Sequence, residues 1–151
     1  MKSALLLLLL SVIAGGVSAR ETGRISATEL KLGGIAIGLS EAEVRKLAGP
    51  PRERENTGEG FKLGYPGLLV YVGADGHGVY DLVSTNPKRC TPSKVCPGMA
   101  IDAVNRLYGR PEVAVRETGT FIEYYPKGIS CWLQVSAPQG VVISLRIACQ
   151  P

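Results

Sequence analysis

The stretch GLSEAEVRKLAGPP, residues 38 to 51, determines the predicted architecture, because a similar stretch, GMAIDAVNRLYGRP, follows at residues 98 to 111. The two are offset by 60 residues and share Gly, Val, Leu, Gly and Pro at matching positions. In the first, Ser40 precedes acidic residues and apolar residues at helical spacing, which predicts an N-capped helix ending at Gly49. The second keeps the helix end at Gly109 but lacks the capping side chain. An internal repeat is therefore predicted.

The same offset aligns later residues, including Phe61 with Phe121 and Tyr65-Pro66 with Tyr125-Pro126. A Pro-Gly turn at residues 66 to 67 predicts a hairpin in each copy. The predicted fold class is α+β, with tandem helix-plus-antiparallel-hairpin repeats that form one extended antiparallel sheet with helices on one face. The predicted units are a signal peptide (1–19), a flexible N-terminal arm (20–29), repeat 1 (30–88), a disulfide-closed linker (89–97) and repeat 2 (98–151).

The N-terminal segment is typical of a secretory signal, with Lys2, an apolar run at residues 4 to 14 and a small-residue cleavage site. We predict cleavage after Ala19 and a periplasmic or secreted bacterial protein. The alternative, a membrane helix, is disfavoured because the run is shorter than the roughly 20 residues needed to span. Removal of Lys2 leaves 16 basic residues against 13 acidic ones, spread evenly, so no nucleic-acid partner is predicted.

Four cysteines in an exported chain predict two disulfides, for which three connectivities are possible. If a hairpin turn centres near residues 139 to 140, Cys131 lies almost opposite Cys149, which favours that pair and leaves Cys90-Cys96 to close the linker. A longer turn would shift the register and undo this pairing. The cysteine spacing does not resemble a zinc site, and neither a metal nor another cofactor is predicted.

Strand alternation identifies candidate partner-binding residues on the sheet face opposite the apolar one. Tyr71 and Trp132 align in the two copies and share this face, and Tyr124, Gln134 and Arg146 are expected nearby. Exposed aromatic residues are favoured at protein interfaces. The alternative interpretation is that they only cover the sheet or fill the seam between the copies.

A second candidate is the turn at residues 73 to 78, where Asp75 and His77 lie among glycines. Both side chains could project from the loop tip into a cleft of a partner. The alternative is an ordinary solvated turn, since Asp-Gly pairs are common in hairpin turns for backbone reasons alone.

The repeated helix-start and helix-stop pattern resembles the BLIP-like superfamily, which includes tandem-repeat beta-lactamase inhibitor proteins and BamE (SmpA/OmlA) envelope lipoproteins. The resemblance rests on Gly38-Leu39-Ser40, Glu43-Val44, Leu47 and Gly49-Pro50-Pro51, and on Gly98-Met99, Val104, Leu107 and Gly109-Arg110-Pro111. It implies a long antiparallel sheet whose open, concave face binds proteins. The chain departs from BamE in having two copies and no lipobox. It contains no recognisable partner-contacting motif of the beta-lactamase inhibitors, so the resemblance identifies no inhibitory residue.

No motif for catalysis is present: the sequence lacks G-x-S-x-G, H-E-x-x-H and a P-loop, and its single histidine has no evident partner. We therefore predict a protein that is not an enzyme. The predicted function is a non-catalytic periplasmic protein-binding module, an inhibitor or immunity-type protein that acts on an envelope enzyme, without stable membrane insertion after signal cleavage. The alternative is an accessory scaffold in outer-membrane assembly, similar to BamE.

Overall fold

The computed structural model describes residues 23–74 and 76–150, and that part of the chain is mostly β. Strands account for 44% of it and helices for 15%. The strands are β1 (Arg24–Ile25), β2 (Lys31–Leu32), β3 (Ile35–Ala36), β4 (Glu53–Thr57), β5 (Gly60–Tyr65), β6 (Leu68–Gly73), β7 (Val79–Ser84), β8 (Glu112–Arg116), β9 (Gly119–Pro126), β10 (Cys131–Ser136) and β11 (Ser144–Cys149). The helices are α1 (Glu41–Ala48) and α2 (Ile101–Tyr108), with a 3-10 turn at Ala27–Glu29.

Nine of these strands form one large mixed sheet, in the order β1-β9-β10-β11-β7-β6-β5-β4, with β8 also paired to β9. All pairs are antiparallel except that of β1 with β9, which is parallel. Strands β2 and β3 form a separate two-stranded sheet. The central pair, β7 with β11, joins segments that are far apart in sequence.

Both helices are short, about two turns each, and their ends follow the chemistry of their terminal residues. The Ser40 hydroxyl accepts a 3.3 Å hydrogen bond from the backbone N–H of Glu43, whose carboxylate accepts a 2.8 Å bond from the Ser40 N–H. This reciprocal capping box starts α1. Ala100 offers no side-chain cap to α2. Both helices end at glycines with positive φ, Gly49 and Gly109.

One hydrophobic core lies between the large sheet and the helices. Val44 of α1 and Val104 of α2 are fully buried in the same cluster as inward residues of the central strands. Those inward residues include Leu63, Val70, Leu82, Leu133, Val135, Leu145 and Ile147. The alternate residues of the same strands therefore face the other side of the sheet.

The predicted fold class, an α+β chain of tandem helix-plus-hairpin repeats forming one extended antiparallel sheet, is wrong. The protein is mostly β, with only two helices among the residues that the structure describes. Its large sheet is mixed because β1 runs parallel to β9, and a second small sheet lies beside it. Two eight-residue helices cover too little of the chain to define its architecture.

The segment predicted as a flexible arm also differs from the structure. Arg24 and Ile25 form β1, and Ser26 caps the following 3-10 turn by accepting a 3.3 Å hydrogen bond from the Thr28 N–H. This part of the arm is held by backbone pairing to β9, which the local sequence does not signal. The predicted signal peptide and its cleavage site lie outside the described residues.

Two disulfides are present, with the predicted connectivity. Cys131 and Cys149 are direct partners in the register of β10 and β11, and their Cα atoms are 3.9 Å apart. Cys90 and Cys96 close the loop before α2, with Cα atoms 4.5 Å apart. Two such bonds are typical of a protein that folds in an oxidising compartment, outside the cytosol. Across residues 23–74 and 76–150, no helix has the length and apolarity to cross a membrane.

Candidate functional site

A broad hollow lies on the sheet face that points away from the core. One cross-strand row runs through Trp132, Ala148, Asp81 and Tyr71, on four neighbouring strands. Directly opposed residues share a face of the sheet, and the two inner members of this row are small. Ala148 and Asp81 therefore form the floor of the hollow, between the larger aromatic side chains at the two ends of the row. The hollow has a volume of about 1050 Å³ and is widely open to solvent.

Aromatic pairs form the walls of the hollow. The rings of Tyr71 and Tyr80 are tilted against each other with centroids 6.2 Å apart. At the other end Tyr125 stacks on Trp132 with centroids 6.3 Å apart, and Phe121 lines the hollow nearby. Ring pairs at these separations support each other's orientation, so both walls present fixed apolar surfaces.

A β-bulge in β7 places two consecutive residues on the hollow. Tyr71 is opposite Asp81, but the next residue, Val72, is opposite Val79, so Tyr80 is the extra residue. Strict alternation would send either Tyr80 or Asp81 into the core. A bulge changes the direction of one side chain, and here both residues line the hollow.

An ion pair crosses the floor between β11 and β7. The Arg146 Nε donates to Asp81 at 3.0 and 3.1 Å, and its Nη2 donates at 2.5 Å. Hydrogen bonding to Asp81 raises the pKa of Arg146 above its usual value, against the effect of burial. The aspartate side chain is nearly buried, whereas that of Arg146 is 48% exposed. The carboxylate thus fixes the direction of a guanidinium that still meets solvent.

A second carboxylate, Glu123, is fully buried beside the Trp132 wall. Arg116 donates to both of its oxygens, at 3.0 and 2.8 Å, Gln134 donates at 2.9 Å, and the Tyr125 hydroxyl also donates to it. Burial alone would raise the pKa of Glu123, but these hydrogen bonds outweigh it and lower the pKa. Burial and the bond to Glu123 raise the pKa of Tyr125 to about 12.

The same network holds the tryptophan wall in place. The Arg116 guanidinium lies over the Trp132 ring, 5.6 Å from its centroid, while Tyr125 stacks on that ring. The indole N–H of Trp132 is buried and has no hydrogen-bond partner among the described residues. The ring is therefore held by packing and by the cation, not by its own polar atom.

Five residues from the sequence prediction line the hollow: Tyr71, His77, Trp132, Gln134 and Arg146. Tyr71 and Trp132 form opposite walls and Arg146 lies between them. His77 is exposed at the rim, where the β6–β7 turn is closed by a 3.1 Å bond from the Gly73 N–H to the Gly78 carbonyl. Asp75 lies outside the described residues. Their role in binding a partner stays a prediction.

The placement of Tyr124 on the open face is wrong. Tyr124 is fully buried, opposite Leu133 in the β9–β10 register, and therefore faces the core. Its ring meets that of Tyr108 edge to face with centroids 5.2 Å apart, and its hydroxyl donates to Asn105 of α2 at 3.0 Å. Burial raises its pKa to about 12.

Sequence reasoning missed Tyr80, Asp81, Arg116, Phe121 and Glu123. The repeat aligns Phe121 with Phe61 but does not show which face of the sheet Phe121 occupies. The two β7 residues depend on the bulge, and the Arg116–Glu123 pair depends on the β8–β9 hairpin register. Alternation along β9 could have linked Glu123 with Phe121 and Tyr125, which are two residues away on either side.

The arrangement is suited to binding. Asp81 and Glu123 are each engaged by an arginine, and the raised pKa of Tyr125 keeps that hydroxyl protonated. In the two described ranges no group of three or more His, Cys, Asp or Glu side chains is placed to hold a metal ion. The hollow instead offers flat apolar walls and an oriented guanidinium.

Comparison with known proteins gives two similar folds. No protein-family model matches the chain, and no curated protein matches it. A DUF4309 family protein (YjgB) from Bacillus subtilis is 12% identical, with a TM-score of 0.51 over 78% of this chain and 83% of that one. An extracellular protein containing an SCP domain from Bacillus anthracis is 11% identical, with a TM-score of 0.51 over 76% of this chain.

The chain spans 44% of the length of the Bacillus anthracis protein. At such low identities the likeness concerns the fold alone. Neither protein is described as BLIP-like or BamE-like, so that resemblance stays a prediction.

Proposed function

We propose that this chain is an exported, non-catalytic protein-binding module that holds a segment of a partner protein in the hollow. The observation that carries the proposal is the combination of two aromatic walls, Tyr71 and Trp132, with the oriented guanidinium of Arg146. Tyr, Trp and Arg are the residue types that dominate binding energy at protein interfaces.

The shape of the hollow favours a protein segment over a small molecule. Small-molecule sites of comparable volume enclose most of their ligand's surface, whereas this hollow is wide and open on one side. A loop or an extended peptide could lie across the strands between the walls. Its backbone carbonyls or an acidic side chain would accept from Arg146, and its apolar side chains would pack on the rings.

Preorganisation supports the same proposal. Asp81 fixes Arg146, and the Glu123 network with Tyr125 fixes the Trp132 ring. Side chains that are already ordered lose less conformational entropy on binding, which leaves more of the contact energy as affinity.

The cellular setting in this proposal follows from the disulfides and the N-terminal segment. We expect cleavage after Ala19, release into the periplasm or the exterior, and a target in the cell envelope. Among envelope proteins, the proposed partner is an enzyme that this protein inhibits or neutralises.

Affinity capture from the native envelope tests the proposal, with the wild-type chain as bait and binding to the captured partner then measured in isolation. Tyr71→Ala and Arg146→Gln are each expected to weaken that binding by about 30-fold or more, the effect of losing an interface hot spot of about 2 kcal/mol. A captured hydrolase whose activity falls on binding supports an inhibitor. Outer-membrane assembly machinery in its place would contradict that role and favour a scaffold.

The control is Leu47→Ala on α1, which removes an exposed apolar side chain that lies outside the hollow. It is expected to bind like the wild type. Circular dichroism and thermal unfolding of all variants show whether each has folded. Unchanged affinity in folded Tyr71→Ala and Arg146→Gln would remove the hollow from consideration.

A further inference from the structure

The two outer edges of the large sheet have opposite chemical character. Strand β4 pairs only with β5, and β8 pairs only with β9, among the described strands. The edge residues of β4 read Glu-Arg-Glu-Asn-Thr, whereas those of β8 read Glu-Val-Ala-Val-Arg. Charges in the middle of an edge strand oppose strand addition, and an apolar edge favours it. Strand β8 thus lacks the protection that β4 has.

The centre of β8 is strongly exposed. Val113 is 67% exposed and Val115 is 82% exposed, the highest value among the large exposed hydrophobic residues. Both point to the same face of the sheet, opposite Ile122 and Thr120 of β9. Only Ile122 is packed against the core, so the core ends before it reaches the valines.

The described chain leaves this edge open beyond Glu112, whose side chain lies against Gly23. The segment before β1 donates from the Gly23 N–H to the Arg110 carbonyl, which lies just outside β8. The pairing of β1 with β9 begins only at Tyr125, beyond the β8 register. Among residues 23–74 and 76–150, no strand pairs with the outward N–H and C=O groups of β8, so this edge can accept another strand.

The sequence of β8 is complementary to itself. An antiparallel pair centred on Ala114 places Glu112 opposite Arg116 of the second copy and Val113 opposite Val115 of the second copy. Glu112 has no ion pair among the described residues, and Arg116, which donates to Glu123, keeps a side chain that is 44% exposed and can meet a carboxylate of a second copy. Opposite charges and apolar pairs directly across two strands both stabilise a sheet.

We propose that β8 is a homodimer interface, in which it pairs antiparallel with β8 of a second copy. The two nine-stranded sheets then join into one continuous sheet across a two-fold axis at Ala114. Directly opposed residues share a face, so the hollows of both copies open on the same side. The five-residue contact is small compared with interfaces of stable complexes, so the dimer is reversible and depends on protein concentration.

Cysteine cross-linking tests the register. In the proposed dimer the two Ala114 Cβ atoms lie about 4.5 to 5.5 Å apart, close enough for a disulfide after small adjustments. Ala114→Cys is expected to form covalent dimers under mild oxidation, with both native disulfides intact by peptide mapping. Glu55→Cys, at the centre of the opposite edge strand β4, is the matched control and is expected to stay largely monomeric.

Sedimentation over a concentration series measures the equilibrium. Glu112→Arg places like charges opposite each other twice in the dimer and is expected to weaken association about tenfold. Glu53→Arg, the same charge reversal at the first residue of β4, is expected to leave association unchanged. A wild-type chain that stays monomeric throughout, or Ala114→Cys that cross-links no more than Glu55→Cys, would overturn the proposal.

Discussion

Replacement of both Cys131 and Cys149 with alanine is expected to lower the free energy of unfolding by about 3 kcal/mol. The bond joins residues 18 apart in sequence. In the chain-entropy description, a closed loop of this length removes about 11 cal/mol/K from the unfolded chain, which is about 3 kcal/mol at room temperature. The folded strands keep their register without the bond, since the β10–β11 pairing extends over six residues.

The comparison with Cys90→Ala/Cys96→Ala makes this prediction specific. That disulfide spans only six residues, and the same reasoning gives about 2 kcal/mol for its loss. Urea unfolding followed by tryptophan fluorescence measures both variants. At an m-value of about 1.5 kcal/mol/M, the midpoint should fall by roughly 2 M for the longer loop and by roughly 1.3 M for the shorter one.

The order of the two effects is the decisive result. If loss of the six-residue bond destabilises the protein more than loss of the 18-residue bond, unfolded-chain entropy does not govern the contribution of these disulfides. The m-value gives a second check, because a less constrained unfolded chain exposes more surface and should raise it.

Two further changes test the polar contacts on either side of the sheet. The pKa of Glu123 is lower in the folded chain than in the unfolded chain. The carboxylate therefore stabilises the folded state above a pH near 4.5, its pKa in the unfolded chain, and this stabilisation is lost as the pH falls through the folded-state pKa. Glu123→Gln should therefore lower the free energy of unfolding by about 1 to 2 kcal/mol near pH 7. The difference in urea midpoint between this variant and the wild type should become smaller at low pH. Tyr124→Phe removes the 3.0 Å bond to Asn105 and should lower the urea midpoint, at a cost of about 1 to 2 kcal/mol, with an unchanged far-UV spectrum. A wild-type midpoint in that variant would contradict the assignment of this bond.

Features set by local chemistry could be predicted from the sequence. The capping box at Ser40 and the glycine stop at Gly49 lie where the helix pattern indicated. The disulfide register was also predictable, because the β10–β11 register is centred on residue 140, next to the predicted turn centre, although seven residues and not a tight turn connect the two strands. The partner of Cys131 follows from that register.

Features set by pairing between distant segments could not be predicted in the same way. Strand β1 has only two residues and no periodicity, and it is extended because β9 is beside it. The predicted fold class was wrong for the same reason. The two helices give clear local signals in the sequence, whereas most of the structure consists of strands whose pairing depends on distant segments. Tyr124 faces the core because it lies opposite Leu133, and this β9–β10 register is not determined by the local sequence pattern. The bulge at Tyr80 has no signal in the residues that form it.

The position of β11 has a consequence for how the chain folds. It follows every other described strand in sequence, yet it lies in the middle of the sheet, between β7 and β10. The Arg146–Asp81 pair that it forms with β7 spans 65 residues. Pairings over such distances close late, because the loop between them must first be ordered. Before β11 pairs with β7, the edge of β7 that β11 covers in the folded protein is exposed. An incompletely folded chain can therefore associate with another chain at that edge.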